Sequence, residues 1–308
     1  MKKILLFFLL IILIPYITVT IIFSNKSEEF MFIKNDYVRV LRSKSGSIEK
    51  VPLEEYIMGV IAGEMPVSFE IEALKAQAVA SRSYVMYKMI QNKDKEYDVV
   101  DTVLNQVYLD SDTLKKKWGS KYDKYVTKIK KAVEETAYQY VLYGGQIAET
   151  LFFSTSVGYT ENSEEVFVSK VPYLRSVKSD WDNISPVFNE DNSYTLEMFL
   201  KKLNLSSSDT LEIKVLDTTS TGRIKRIRIN DKEFTGKEIS GKLGLRSTYF
   251  KISENNGKVS IITKGYGHGV GMSQYGAQGM ALEGYKYDEI LKHYYTDIEI
   301  KKIKNCIK

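Results

Sequence analysis

The chain is poor in the residues that hold metals and covalent cross-links. Its 308 residues include one cysteine, Cys306, and two histidines, His268 and His293. A single cysteine excludes an internal disulfide and a cysteine-rich zinc site. Two histidines without an H-E-x-x-H pair fall short of the usual three-ligand catalytic zinc centre, although composition alone leaves a two-histidine, one-carboxylate site open. The chain also lacks tandem repeats, low-complexity tracts and clustered basic arms. The net charge of +5 comes from dispersed lysines. No nucleic-acid partner is expected from that pattern, and the lysines read as solvated surface.

Charge is also absent from Ile4 to Phe23, which follows Lys2 and Lys3. About 20 apolar residues suffice to cross a bilayer. The run is long for a signal peptide and offers no Ala-x-Ala cleavage site. The expectation is therefore an uncleaved single-pass anchor with a cytoplasmic N-terminus and everything after about residue 24 outside the membrane. Residues 1–28 read as anchor and linker, and residues 29–308 as one catalytic domain.

What is present is a hydrophobic content of 44%, enough for a sizeable core. Local patterns give an α+β reading: one mixed α/β extracytoplasmic domain with a strand-rich lobe between about residues 165 and 260. Two short strands are expected at Tyr37–Leu41 and Ser47–Val51. Pro52 should open a helix that ends at Gly63. Met65, before Pro66, should be extended, and a second helix should run from Pro66 to about Ile90. Ala73, Ala76, Ala80 and Tyr84 recur at three- and four-residue spacing, which suits close packing. Further on, Lys121–Tyr138 reads as a helix. Tyr140–Leu142 and Ala148–Ser154 read as a hairpin around Gly144 and Gly145. A helix near Tyr194–Leu203 and strands at Leu211–Leu216, Ile224–Ile229 and Val259–Thr263 complete the pattern.

Three clusters could carry chemistry. Glu64 is a lone carboxylate at a forced chain break between Gly63 and Pro66. It could serve as a general acid, or cap the following helix through its dipole. The stretch FFSTSVGYTEN, Phe152–Asn162, offers hydroxyls and amides in series. GYGHGVGMSQYGAQGMA, Gly265–Ala281, is a glycine-dense loop able to approach a ligand closely. This loop misses the G-x-G-x-x-G spacing of a dinucleotide site and the G-x-S-x-G of a serine-hydrolase elbow, and it has no P-loop ending. Ser154, Thr160, His268, Ser273, Gln274 and Tyr275 are candidates for a cleft wall. Tyr84 and Tyr266 could stack on sugar rings, and Arg82 could bind a glycan or pair with a carboxylate.

G-E-M-P with EALKAQAVASRSY, then FFSTSVGYTEN, GYGHGVGMSQYGAQGMA and ILKHYYTD, together resemble the stage II sporulation protein D family, which includes the amidase-enhancer domain. The motifs run from Gly63 to Asp297 in the family's order. The resemblance implies a lytic transglycosylase that cleaves the MurNAc-β-1,4-GlcNAc bond of peptide-stripped glycan strands to 1,6-anhydro ends, during forespore engulfment. It carries the catalytic glutamate onto Glu64. It also implies a cell-wall amidase and a membrane protein of the engulfment complex as partners, on the mother-cell side of the septum. Some relatives hold zinc through cysteine and histidine near the second cluster. Phe152–Phe167 has neither residue, so no metal and no other cofactor are expected. The competing reading is a non-catalytic stimulator of a partner amidase.

Overall fold

The computed structural model describes residues 37–208 and 210–303, all within the unit Asn35–Lys308. Among them no helix is long and apolar enough to cross a membrane. That corrects the expected fold class and the single-pass localisation. The run Ile4–Phe23, on which both rested, lies outside the described residues.

The chain enters through an antiparallel pair, Tyr37–Leu41 and Ile48–Pro52, in which Val38 faces Val51 and Val40 faces Glu49. Strict alternation buries Val38 and Val40 on one face. The first of these strands also pairs in parallel with Val99–Val100. Pro52 sits just before the helix Leu53–Glu64, its φ of −53° already helical in value. That helix buries Tyr56, Ile57, Val60 and Ile61.

The central helix, Ile71–Gln91, is buried on nearly every side. Its small residues permit that. Thr150 Oγ1 donates to Ala80 O at 2.6 Å, and Val141 N donates to Ser83 Oγ at 2.8 Å. Around it pack the helices Leu53–Glu64, Tyr122–Glu135, Gln274–Leu282 and Tyr287–Tyr294 and the strand Gln139–Tyr143. That strand turns at Gly144 and Gly145, both at positive φ, into Gln146–Ile147, and pairs on its other side with Glu299–Lys302. The hairpin is shorter than expected. Phe152–Phe153 leaves it to pair in parallel with Met272–Ser273, which joins the second and third motif clusters.

The strand-rich lobe runs from Asn189 to Lys264. Two antiparallel three-stranded sheets pack with the helices Leu196–Leu203 and Gly236–Leu243 over Phe199, Leu203, Ile227, Ile229, Phe234, Ile239, Val259 and Ile261. Strand order in one sheet places Lys258–Lys264 between Phe250–Asn255 and Asn189–Thr195. The glycine-rich loop follows Lys264 directly, so the lobe delivers it to the helical body.

Candidate active site

Glu64 is the last residue of its helix, one position beyond the expected end at Gly63. Gly63 is not a cap. Its missing side chain leaves room for the Val107 carbonyl oxygen, which would lie 2.4 Å from a Cβ there. That approach brings the Val107 amide to Glu64, donating to Oε1 at 2.7 Å. Met65 is extended, as a residue before proline must be. Pro66 does not start the next helix. It opens a turn closed by Phe69 N donating to Pro66 O at 3.0 Å, and the central helix begins only at Ile71. Glu64 therefore lies at the C-terminal end of one helix and well short of the other's first turn, which removes the dipole-cap role. A helix C-terminus carries partial negative charge, so this position itself favours the protonated acid.

Burial raises the Glu64 carboxyl above its ordinary 4.5, while the Val107 amide and the Gln274 side chain pull it back. The carboxyl opens on a cavity of about 790 Å³. Its walls come from several segments of the chain. The loop Val103–Val107 and the central helix, through Tyr84 and Lys88, form one side. Glu149–Ser154 forms the floor. Ser163–Leu174 and Tyr266–His268 with Gln274 close the other side.

The structure brings Glu64, Tyr84, Ser154, His268 and Gln274 to this one cavity, together with Tyr266. The Tyr84 hydroxyl accepts from Asn105 Nδ2 at 3.0 Å. His268 lines the wall with both ring nitrogens occupied. Val270 N donates to Nδ1 at 3.1 Å, so Nε2 carries the proton and donates to Phe152 O at 3.1 Å. Burial first, and the charge of Arg223 second, lower its imidazole to about 4. His268 is thus a neutral wall, flanked by Phe153 and Phe167 at 5.7 and 5.5 Å.

The other four candidates lie elsewhere. Arg82 is fully buried among helices. Its Nε and Nη2 donate to the two carboxylate oxygens of Glu54 at 3.0 and 2.7 Å, and its Nη1 donates to Thr136 O at 3.0 Å. The guanidinium is spent on Glu54 and does not reach the cleft. Thr160 Oγ1 is buried between Arg175 O and Val177 N. Ser273 caps the helix Gln274–Leu282, accepting from Gly276 N at 3.3 Å, and donates to the buried Asp182. Tyr275 packs edge-on against Phe69 at 5.0 Å. His293, outside the cavity, has Nε2 2.8 Å from Lys178 O and its ring against Trp181.

Sequence reasoning missed Lys88, Asn105, the Val107 amide and Glu149. Lys88 stands one helical turn after Tyr84, so the i, i+4 spacing that places two side chains on one face could have flagged it. Nothing local marks Val107, 43 positions after Glu64. Another buried pair was also missed. Glu161 and Arg223, 3.2 Å apart, meet beneath the glycine loop, where Arg223 Nη1 donates to Gly267 O at 2.8 Å. Gly269 has φ +88°, and a Cβ there would lie 2.8 Å from Glu161 Cγ and 2.9 Å from Arg223 Cζ. Part of the loop's glycine content therefore serves this ion pair rather than a ligand.

The chain is similar to known proteins over most of its length. The family model described as SpoIID, Stage II sporulation protein, matches residues 42–143, which include Glu64 and Val107. A relative from Bacillus amyloliquefaciens named Stage II sporulation protein D is 44% identical over 271 residues, covering 86% of this chain and 78% of its own. One of the same name from Bacillus subtilis (strain 168) is 42% identical over 284 residues, covering 91% and 83%. A third, named Amidase enhancer, from the same strain, is 31% identical over 294 residues, covering 78% of this chain and 39% of its own. Identity at this level over most of both chains places the protein in the stage II sporulation protein D family.

Proposed function

We propose that the chain is a lytic transglycosylase of peptidoglycan, cleaving the MurNAc-β-1,4-GlcNAc bond of peptide-stripped strands in the wall remodelling of sporulation. The observation that carries this reading is Glu64 itself. It is a half-buried carboxyl that burial raises above its ordinary range, it sits in a cavity of about 790 Å³, and one oxygen is oriented by a backbone amide. An acid held above its ordinary range can donate at neutral pH.

One carboxyl group can perform both proton transfers. Glu64 gives its proton to the glycosidic oxygen as the C1–O bond breaks, and the GlcNAc leaves as an alcohol. The carboxylate left behind faces the positive charge developing at C1. It then takes the proton of the same MurNAc's C6 hydroxyl as O6 bonds to C1. The product is a 1,6-anhydro end, no water is consumed, and the acid is restored. A hydrolase would need a second carboxylate as base or nucleophile. The other carboxylate lining the cavity, Glu149, is engaged at 2.5 Å by Lys88. Positioned acid–base catalysis contributes roughly 10²–10⁴ in rate.

Digestion of peptide-stripped strands by the chain and by Glu64→Gln, with products weighed by mass spectrometry, tests this. Anhydro ends that vanish in the variant are the expected result. Hydrated reducing ends would overturn it. The relative named Amidase enhancer supports a second reading, in which the chain stimulates a cell-wall amidase without cleaving glycan. Absence of glycan cleavage with amidase stimulation intact in Glu64→Gln would select that one. An amidase and a membrane protein of an engulfment complex are the partners proposed under either reading.

A further inference from the structure

Lys88 is the one cation lining the Glu64 cavity among the described residues. Its ammonium lies 5.1 Å from the centre of the Tyr84 ring and 5.5 Å from that of Tyr87. One oxygen of Glu149 accepts from it at 2.5 Å. Burial works against its charge, but the bond to Glu149 and the field of the surrounding groups outweigh that and raise it. Lys88 is therefore cationic at any working pH. An ammonium has three donors, and a single carboxylate oxygen uses one.

The same helix carries a filled version of this arrangement. Lys75 holds two carboxylates at once, Glu72 at 2.8 Å and Glu135 at 2.6 Å. Lys88 has the first of such a pair. Lys88 itself lines the cavity. The remaining polar side chains of the wall are neutral amides, hydroxyls and an imidazole, apart from Glu64, the acid, and Glu149, whose charge is held by Lys88. A ligand with one carboxylate, lying with its scissile bond at Glu64, has a single cationic place to put it.

We propose that Lys88 recognises the lactyl carboxylate of a muramic acid residue whose stem peptide has been removed, and so sets the preference for peptide-free strands. This rests on the reading of the cavity as a glycan site. With the peptide attached, that carboxylate is an amide: it still accepts, but it carries no charge and brings bulk. Charge-assisted hydrogen bonds are about twice as strong as neutral ones, so the distinction reaches affinity. Glu149 is the resting partner that holds the ammonium in place and shares it when the strand binds.

The test is binding to the full chain carrying Glu64→Gln, which leaves the ligand intact. Two probes are compared by calorimetry: peptide-stripped strands, and the same strands with their lactyl carboxylates converted to methylamides. The carboxylate form is expected to bind about 10-fold tighter, the worth of one hydrogen bond to a charged group. Lys88→Met should abolish or reverse the preference, since Glu149 is then left to repel the carboxylate, and Glu149→Gln should widen the gap. Equal affinity for both probes in the chain that keeps Lys88 would overturn the inference without any lysine variant having to fold. So would a preference that persists in Lys88→Met. Failure of the reaction reads differently: carboxylate preference without anhydro ends from the unmodified chain removes the transglycosylase and leaves the lysine's role, whereas cleavage without preference does the reverse.

Discussion

Replacing Gly63 by alanine moves the backbone amide that donates to the Glu64 carboxyl. A Cβ at position 63 would stand 2.4 Å from Val107 O and 3.1 Å from both Val107 C and Cγ1, where ordinary contact begins at 3.4 Å. The obstacle is backbone, so it must retreat by 3.4 − 2.4, or about 1 Å, and the Val107 amide goes with it. Its bond to Glu64 Oε1, 2.7 Å long, then passes the range of about 3.2 Å in which such bonds hold. A hydrogen bond to a charged acceptor is worth about 1.5–3 kcal/mol. At about 1.36 kcal/mol per tenfold, the balance between carboxylate and acid moves by roughly 10- to 150-fold toward the acid.

The sign follows from which form the amide serves. The N–H stabilises the carboxylate and so opposes the rise that burial causes. Gly63→Ala removes the opposition, and Glu64 titrates higher still. Above the unfolded value of 4.5 the native state holds more protons than the unfolded chain, so the Glu64 contribution to stability declines as pH rises through the folded value. Gly63→Ala extends that decline to higher pH, and Glu64→Gln abolishes it. Carbon NMR of the glutamate carboxyls against pH, with Glu64→Gln assigning the resonance, reads the titration directly and needs no substrate. Gly59→Ala is the control, since its Cβ would meet Tyr108 at 2.4 Å and Leu109 O at 2.6 Å rather than Val107. A folded Gly63→Ala in which Glu64 titrates where it did before, or lower, would refute the account of how the carboxyl is held.

His268 makes the opposite demand. Its folded value of about 4 lies below the ordinary 6.5, so its contribution is complete above 6.5 and lost as pH falls toward 4, by about 3 kcal/mol at the limit. Urea unfolding at about pH 7 and about pH 4.5 should show a smaller difference in His268→Gln than in the unsubstituted chain, and equal differences would contradict the neutral, doubly bonded imidazole. Arg82→Leu should lose about 1–3 kcal/mol, chiefly by leaving the buried Thr136 carbonyl without its guanidinium donor while the part-exposed Glu54 stays solvated, and glycan affinity of the folded protein should stay unchanged. Weakened binding without lost stability would return Arg82 to the glycan site.

The junction around Glu64 is legible in the sequence because proline constrains its neighbour whatever the tertiary context, and Met65 is extended as that rule requires. The helix end falls one residue beyond the expected position because glycine has two uses. At position 63 it provides room for a segment 44 residues further on, and no local signal distinguishes that from a cap. The helix Gly236–Leu243 carries a readable signal that local reading passes over, Thr235 and Glu238 in a reciprocal capping box. Arg82 is ambiguous for a different reason. Its partner Glu54 sits on another helix, 28 residues earlier, and only packing decides whether an arginine on a small-residue helix faces a cleft or a neighbour.

The hydroxyl-rich stretch after Phe152 shows why residue chemistry without burial misassigns a wall. Ser156 and Ser179 both donate to the buried Asp182, Ser156 Oγ at 2.8 Å and Ser179 Oγ at 2.5 Å; the Ser156 amide donates at 2.7 Å and Ser273 adds a fourth bond. Burial still raises the Asp182 carboxyl against those four donors. An unpartnered carboxylate at that depth would cost several kcal/mol, so the hydroxyls are spent on it and are not free for sugar. They hold together the segment after Phe152, the turn Asp180–Ile184 and the start of the helix Gln274–Leu282. Of that stretch only Phe152, Phe153 and Ser154 reach the cavity, while Gln274, at the first position of the helix that Ser273 caps, is aimed at Glu64. The polar groups left to meet a ligand are therefore one acid, one cation with its counter-ion, and neutral amides and hydroxyls. That set fits a sugar strand that brings one carboxylate at a time into the cavity, and it fits poorly a polymer with a charge on every unit, which would need several cations where the cavity, among the described residues, has Lys88 alone.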